Sequence, residues 1–407
     1  MKTLKRIAWS VAAVFLLLVV AAAVRMHEDG ALFIEPVEGR RIGYSARTGE
    51  WLWLAYPAVP PARDGPYVMR EGDRRVAWVL EPDAAGVVHA RKIGVGDRVD
   101  VVVDDAAATR FSVPLRERHP RDPVRWPMPE RILAVSDIEG EFAAFVRLLR
   151  ANGVIDERFA WTWGAGHLVL VGDMVDRGSN VVPVLWLVYK LEAEARAAGG
   201  AVHYVLGNHE QYLLQGRPKH VADKYYATIN ATGLDHGELW SAGTELGRWL
   251  RSKPVLVKVG DTLFAHGGIS PRVLATGLDI DAIDAVAARR IDLRRRETES
   301  PLATTLLQAP TALTKYRGLA RASRGYQPAT PAHVRNLLAH FGVRRITIGH
   351  TLVERVGLGH DGRVLRLDVH HAGGVSEGVL LEDGRLWRVD DAGARFALGR
   401  AVDVAPE

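Results

Sequence analysis

The chain has 407 residues, 48% of them hydrophobic and 11 of them tryptophan, and this composition argues against a disordered protein. Its 53 basic residues nearly balance its 48 acidic residues, so the net charge of +5 does not indicate a dedicated nucleic-acid-binding protein. Because the chain has no cysteine, disulfide bonds, thiolate metal ligands and a cysteine nucleophile are excluded.

The first 28 residues predict a signal anchor or a signal peptide. A basic stretch, MKTLKR, precedes residues 7–24, which carry no charge and are nearly long enough to span a membrane. The basic residues favour a cytoplasmic N-terminus, so we expect the rest of the chain to be exported. We favour an uncleaved hydrophobic helix in the membrane over a cleaved signal peptide.

Residues 29–118 alternate short apolar stretches with turn residues, a pattern that predicts a small all-β domain. Residues 119–130 follow, with prolines at positions 120, 123, 127 and 129. Proline at this density disfavours regular structure, so we expect a stiff linker and a domain boundary there.

Residues 131–392 alternate apolar runs typical of buried strands with amphipathic helical segments. The order strand, helix, strand, helix, strand predicts an α/β fold with parallel strands, whose ligand sites lie beyond the carboxyl ends of the strands. The last apolar runs, GRVLRLDV and GVLLEDGRLWRV, predict further β-structure. We expect residues 393–407 to form a tail.

Five polar motifs follow successive strands of this segment. They are SDIEG with Asp137 and Glu139, GDMVDRG with Asp173, Asp176 and Arg177, GNHE with Asn208, His209 and Glu210, AHGG with His266, and GHT with His350. Each motif alone is explained by a helix cap or a turn, but their recurrence at every strand end is not. Carboxylate, amide and imidazole groups beside glycines are suited to divalent metal ions.

The order and spacing of these motifs resemble the calcineurin-like metallophosphoesterases, and within them the phosphoprotein phosphatase branch. The stretches GNHEQYLLQG and KYRG resemble the bacterial Shewanella-like phosphatases. The resemblance covers about residues 130–390 and does not include the predicted all-β domain. It implies a metallophosphoesterase β-sandwich flanked by helices.

The resemblance also implies two divalent metal ions, with Mn²⁺ favoured and iron, Zn²⁺ or Mg²⁺ as alternatives. Asp137, Glu139 and Asp173 would bind the first ion, Asp173 would bridge to the second, and Asn208, His266 and His350 would complete the second site. A water shared by two ions about 3.5–4 Å apart would attack the phosphorus directly, without a phosphoenzyme.

Further roles follow from the same resemblance. His209 would be the general acid that protonates the leaving oxygen, and Asp176 would orient its imidazole. Arg177, Arg317 and Asn208 would bind the phosphate oxygens, because a guanidinium fork matches phosphate geometry. Glu210 would either support the site or play a plain structural role.

The substrate stays open between alternatives. A phosphoprotein is favoured, at phosphoserine/threonine or phosphotyrosine. A dinucleoside polyphosphate or another small phosphoester is the main alternative, because inner-membrane anchoring that faces a bacterial periplasm, or release into it, would limit access to phosphoproteins. A phosphoprotein-binding module that has lost catalysis is less favoured.

Two other groups are weaker candidates. His370 and His371 follow a predicted strand, where a structural pair is the favoured interpretation. Arg294–Arg296 are expected to lie on a solvated helix of a cap, where they would attract acidic phosphosubstrates.

Glu139 departs from the family, which normally has histidine at this position. With three carboxylates the two ions keep a formal charge of about +1 rather than about +2, so we expect a preference for Mn²⁺ or Mg²⁺ over Zn²⁺ and an alkaline-shifted pH optimum. Metal content and pH–rate profiles of the purified protein and of Glu139→His test this. The charge argument is wrong if the two proteins share metal preference and pH profile.

Overall fold

A computed structural model describes residues 31–37, 40–45, 50–55, 62–218, 220–294, 300–321 and 327–400. The expected export segment, residues 1–28, lies outside these residues, so export and membrane anchoring stay predictions. Within the described ranges, no helix has the length and apolar character needed to cross a bilayer. The chain divides into two units, Met1–Pro60 and Pro61–Glu407.

The described part of the first unit is a three-stranded antiparallel sheet. Its strands, in sheet order, are β1 (Ala31–Val37), β2 (Arg40–Ser45) and β3 (Glu50–Ala55). This agrees with the β-structure expected from the alternating pattern of this segment.

The second unit begins with five strands that we expected in a separate all-β domain. They are β4 (Asp64–Glu71), β5 (Arg74–Pro82), β6 (Val88–Val95), β7 (Arg98–Val102) and β8 (Arg110–Pro114). Tyr67, Val101 and Phe111 are buried in the same hydrophobic core as Trp186. The Trp186 indole also donates to the Pro66 carbonyl at 3.0 Å. The predicted domain 29–118 is therefore split, and its second half belongs to the larger unit.

The proline-rich segment 119–130 is fastened to the larger unit and does not separate two bodies. Arg121 Nε donates to Asp284 at 2.6 Å, and Lys253 Nζ contacts Asp122 at 2.7 Å. Strand β9 (Arg125–Trp126) lies between Pro123 and Pro127. It pairs in parallel with Lys258 and Val259 of a central strand of the larger unit. The chain divides near residue 60, so our boundary at this segment was misplaced.

Two six-stranded sheets form the centre of the larger unit. The first has the order β12 (Ala201–Tyr204), β11 (His167–Leu170), β10 (Arg131–Val135), β18 (Glu377–Glu382), β19 (Arg385–Asp390), β20 (Arg395–Arg400). The second has the order β16 (Gly357–Gly359), β17 (Val364–Arg366), β15 (Arg345–Ile348), β14 (Thr262–Ala265), β13 (Leu256–Val259), β9. We expected residues 393–407 to form a tail, but Arg395–Arg400 of this range form strand β20, so the prediction is wrong for these residues.

The two sheets pack face to face, and helices cover their outer surfaces. In β10, Ile132 and Ala134 pack against Phe264 and Leu365 of the second sheet. The alternate residues of β10, among them Leu133, belong to the core shared with the helices. This alternation follows from the two-residue period of a strand with both faces buried. The predicted sandwich flanked by helices is confirmed.

The described helices are α1 (Phe142–Ala151), α2 (Val181–Ala197), α3 (Asn208–Leu214), α4 (Asp223–Thr232), α5 (His236–Leu239), α6 (Glu245–Arg251), α7 (Pro271–Leu274), α8 (Ile280–Arg290), α9 (Pro301–Ala303) and α10 (Pro331–Phe341). Of these, α2 is the longest, with 17 residues, and the others have 11 residues or fewer. A π-helical turn, Thr304–Gln308, follows α9, and His371–Gly373 form a 3₁₀ turn.

Glu192 of α2 is a buried carboxylate on which several elements converge. It accepts hydrogen bonds from Arg116 at 2.7 Å and from the Trp249 indole at 2.8 Å, and it pairs with Lys253. Burial alone would raise the pKa of Glu192, but Lys253 and Arg116 outweigh it and lower the pKa to about 2. The charged form is therefore strongly favoured in the folded protein.

We expect Glu192→Gln to destabilise the protein at neutral pH by on the order of 3 kcal/mol. A lowered pKa contributes stability above the unfolded value of about 4.3, and this contribution is lost as the pH falls towards 2. Urea unfolding between neutral pH and about pH 3 should thus show a weaker acid dependence in the variant.

Glu157→Gln is the matched control, because Glu157 pairs with Arg150 on the surface and its side chain is 86% exposed. This variant should leave the free energy of unfolding almost unchanged. An equal acid dependence of stability in wild type and Glu192→Gln would contradict the assignment.

Candidate active site

A cavity of about 840 Å³ lies beyond the strand ends of the sandwich. Eight of the ten predicted site residues line it: Asp137, Glu139, Asp173, Arg177, Asn208, His209, Arg317 and His350. The remaining two, Asp176 and His266, are buried and contact residues that line the cavity. The structure therefore brings the whole predicted set together, although its members span more than two hundred residues of sequence.

The backbone at this site is unusual. Six non-glycine residues adopt positive φ, namely Asp137 (55°), Glu139 (51°), Asp173 (53°), Asp176 (68°), Arg177 (56°) and His350 (63°). This conformation is uncommon outside glycine, and where it occurs it tends to cluster at functional sites. The sharp turns after β10, β11 and β15 direct these polar side chains towards one point.

Gly207 permits the closest approach between two of these loops. A Cβ at this position would collide with the Asp173 carboxylate. Without that Cβ, the first turn of α3 lies against Asp173, and the His209 N–H donates to Asp173 Oδ1 at 2.9 Å. The glycine of the GNHE motif is thus required by packing at the site.

The side chains of Asp173, His266 and His350 fit a divalent metal ion. One potential ligand atom of each lies within 4.8 Å of the others. His266 Nδ1 donates to the Val171 carbonyl at 2.7 Å, which leaves Nε2 facing Asp173 Oδ2 at 3.0 Å. His350 Nε2 donates to the Lys315 carbonyl at 3.0 Å, which leaves Nδ1 towards the site. Such bonds fix the tautomer in metal-binding histidines.

Asn208 lies against the same group. In the amide orientation that satisfies its neighbours, its nitrogen donates to His350 Nδ1 at 2.7 Å and to the Thr314 carbonyl at 3.1 Å. Asn208 therefore lies within reach of an ion held by His266 and His350, and its amide oxygen would bind that ion in the opposite amide orientation, as the resemblance implies.

Asp137 lies beside a second buried carboxylate that the sequence analysis missed. Asp368 follows β17 and lines the cavity, and burial raises its pKa to about 6. Burial and the charge of Asp368 also raise the pKa of Asp137. Crowded carboxylates in a buried site favour a cation. Asp368 stands at a strand end, so the rule that found the other residues would have found it.

Glu139 is ion-paired with Arg177. Both line the cavity, but Glu139 does not belong to the group formed by Asp173, His266 and His350. Its role as a ligand of the first ion stays a prediction. The guanidinium offsets the carboxylate charge, a compensation that the count of carboxylates from the sequence omitted.

His209 and Asp176, for which we predicted an acid role and an orienting role, are hydrogen-bonded to each other. His209 Nδ1 lies 2.8 Å from Asp176 Oδ2, and His209 Nε2 lies 3.7 Å from Asp173 Oδ2. Burial alone would lower the pKa of His209, but Asp173 and Asp176 outweigh it and raise the pKa. A raised pKa favours the protonated imidazole, which is the form that can donate a proton to a leaving group.

Glu210 supports the site from behind. Its carboxylate accepts hydrogen bonds from the N–H groups of Asp173 (2.9 Å), Met174 (2.7 Å) and Gly207 (2.7 Å), and from the Tyr204 hydroxyl at 2.9 Å. It is fully buried. Of the two roles left open by the sequence, the structure supports the one at the site.

Of the weaker candidates, one lines the cavity and two are buried away from it. His370 lines the cavity, whereas His371 is buried and its Nε2 donates to the Ser136 carbonyl at 3.1 Å. Arg294 is also buried and donates to the Gln215 carbonyl at 2.9 Å, so it is not on a solvated face as expected. The other two arginines of that stretch lie outside the described residues.

The cavity is also lined by three cationic residues that were not predicted from the sequence. They are Arg217, Lys315 and Arg321. Arg317, which the sequence did predict, donates to the His350 carbonyl and is thereby anchored beside the group formed by Asp173, His266 and His350. No motif marks Arg217 or Arg321, because loop residues reach the site only through the fold.

Comparisons with known proteins agree with this geometry. The crystal structure of the cold-active protein-tyrosine phosphatase of a psychrophile Shewanella sp. superposes with a TM-score of 0.74 at 31% identity, covering 83% of this chain and 99% of that chain. This coverage exceeds residues 130–390, so the likeness extends into the segment that we had excluded from it.

Two curated relatives match shorter segments. Shewanella-like protein phosphatase 2 of Arabidopsis thaliana is 31% identical over 128 residues, 31% of this chain and 31% of that protein. The symmetrical bis(5'-nucleosyl)-tetraphosphatase of Neisseria meningitidis is 31% identical over 157 residues, 39% of this chain and 50% of that protein. The chain thus spans only 31% and 50% of the length of these two relatives.

Residues 130–354, more than half of the chain, match the calcineurin-like phosphoesterase family over all five polar motifs. Together with the sandwich, the polar residues at the strand ends and the His209–Asp176 pair, this match shows that the chain belongs to the calcineurin-like phosphoesterase family.

Proposed function

We propose that this chain is a metal-dependent phosphomonoesterase that dephosphorylates proteins, with phosphotyrosine as the favoured group. The observation that carries the proposal is the pairing of His209 with Asp176 beside the group Asp173, His266 and His350 in one cavity. The similarity to the Shewanella tyrosine phosphatase over 99% of that chain supports the choice of substrate.

The residues of the site have separable tasks in this reaction. Divalent ions held by the carboxylates and imidazoles would polarise the phosphoryl group and lower the pKa of the attacking water. His209 would protonate the leaving oxygen, and Asp176 holds its ring in register. Arg177 and Arg317 would bind the phosphate oxygens, for which their planar guanidinium groups are suited.

A second candidate function is the hydrolysis of dinucleoside polyphosphates or similar small phosphoesters. Arg217, Lys315 and Arg321 add positive charge to the cavity beyond the two arginines expected for one phosphate. Several adjacent phosphates would make use of these additional cations. The similarity to the Neisseria tetraphosphatase supports this alternative.

The variant His209→Asn tests catalysis. Loss of the general acid should lower kcat for a phosphotyrosine peptide by about 10²–10⁴-fold. The loss should be smaller for p-nitrophenyl phosphate, because nitrophenolate leaves without protonation. Steady-state kinetics with both substrates measure the two losses.

His340→Asn is the control, because His340 is exposed and its described polar contact is with the Leu278 carbonyl. It should retain wild-type kcat. Equal losses for the two substrates in His209→Asn would argue against an acid role, and an inactive wild type would favour the binding-module alternative.

A substrate panel distinguishes the two candidate activities. With Mn²⁺ present, we expect the highest kcat/KM for phosphotyrosine peptide, compared with phosphoserine peptide and diadenosine tetraphosphate. Arg217→Ala and Arg321→Ala should then change monoester kinetics little. If diadenosine tetraphosphate is preferred and these two variants selectively lose it, the polyphosphate alternative is correct.

A further inference from the structure

Residues 139 and 177 are held side by side by backbone contacts between the loops that follow β10 and β11. The Glu139 N–H donates to the Asp173 carbonyl at 3.0 Å, and the Gly178 N–H donates to the Glu139 carbonyl at 2.7 Å. A Cβ at Gly178 would lie 2.5 Å from that carbonyl oxygen, so only glycine permits this approach. The proximity of the two positions is therefore set by the backbone and not by a choice of rotamer.

The side chains at these positions form an ion pair at the cavity wall. The Glu139 side chain is 15% exposed and the Arg177 side chain is 56% exposed. The Arg177 N–H also donates to the His220 carbonyl at 2.8 Å, which fixes the backbone of the second partner. Arg177 thus has a carboxylate partner before any anion enters the cavity.

We propose that the Glu139–Arg177 ion pair couples the binding of a divalent ion to the binding of phosphate. In this proposal Glu139 binds an ion beside Asp137 and Arg177 binds a phosphate, so that each ligand breaks the same ion pair. The ligand that binds first removes the pair, and the second ligand binds without that penalty. Each ligand therefore favours the other beyond their direct charge attraction.

This inference rests on the proposed function, because it takes the divalent ion and the phosphate as ligands of this site. Arg177 is more than half exposed, so the pair is only moderately strong. We therefore expect the coupling attributable to the pair to be about two- to five-fold in affinity.

The test is a double-mutant cycle on metal binding, which is independent of turnover. Mn²⁺ is titrated calorimetrically into the metal-stripped full chain of wild type, Arg177→Ala, Glu139→Gln and the double variant. Arg217→Ala is the matched control, because Arg217 lines the same cavity but lies over the Tyr212 ring at 4.9 Å.

Both Arg177→Ala and Arg217→Ala should raise the affinity for Mn²⁺, because each removes a repelling charge. The increase should be about two- to five-fold larger for Arg177→Ala than for Arg217→Ala, since Arg177→Ala also releases Glu139. In the Glu139→Gln background, Arg177→Ala should have no more effect than Arg217→Ala. Equal effects of the two arginine variants in the wild-type background would overturn the proposal. Should Glu139→Gln fail to fold in thermal unfolding, the comparison of the two arginine variants alone decides.

A second arm uses orthophosphate as the anion. Orthophosphate should tighten Mn²⁺ binding in the wild type, and the enhancement should fall about two- to five-fold in Glu139→Gln. An unchanged enhancement in that variant would also overturn the proposal. A wild type that hydrolyses p-nitrophenyl phosphate without this coupling refutes the inference alone, whereas coupling without hydrolysis refutes the proposed function alone.

Discussion

The carboxylate of Glu210 is the constraint on which the site depends. It lies at full burial and accepts N–H groups from both loops that follow β11 and β12, together with the Tyr204 hydroxyl. An unpaired carboxylate at this depth would be strongly unfavourable, so its four donors are held firmly in place. Two of those donors belong to Asp173 and Gly207, and the position of one fixes that of the other. Asp173 in turn accepts the His209 N–H, which places the proposed acid beside the proposed metal ligands.

Charge balance explains much of the remaining arrangement. The cavity floor gathers the carboxylates of Asp137, Asp173 and Asp368 and its walls carry arginines and a lysine. Burial raises the pKa of Asp137 and Asp368, whereas His266 and His209 outweigh burial at Asp173 and lower its pKa. A divalent ion would relieve the crowding of these carboxylates, and the cationic walls would attract a phosphate. Glu139 and Arg177 lie where these two regions meet, which is why one ion pair can influence both ligands.

The larger unit extends beyond the sandwich because its outer helices need a partner. Helix α2 is buried along nearly its whole length, so strands β4–β8 and the segment 119–130 must cover it. Glu192, Lys253 and Arg116 join these elements in one buried network of charges. Prolines in the segment do not prevent this, because ion pairs and the two residues of β9 provide the attachment. A proline-rich composition indicates restricted backbone geometry, and it does not by itself indicate a free linker.

The sequence by itself predicted alternating strands and helices and the polar residues at the strand ends, because periodicity and motif order depend on local spacing, and the resemblance of those motifs implied the sandwich. The pairing of His209 with Asp176 also agrees with the role expected from the motifs. Only the tertiary structure decided that β4–β8 join the larger unit, since buried surface on α2 is visible only after folding. It also added Asp368, Arg217 and Arg321 to the cavity and paired Glu139 with Arg177. These contacts join residues far apart along the chain, and no local pattern encodes the backbone approach that creates them.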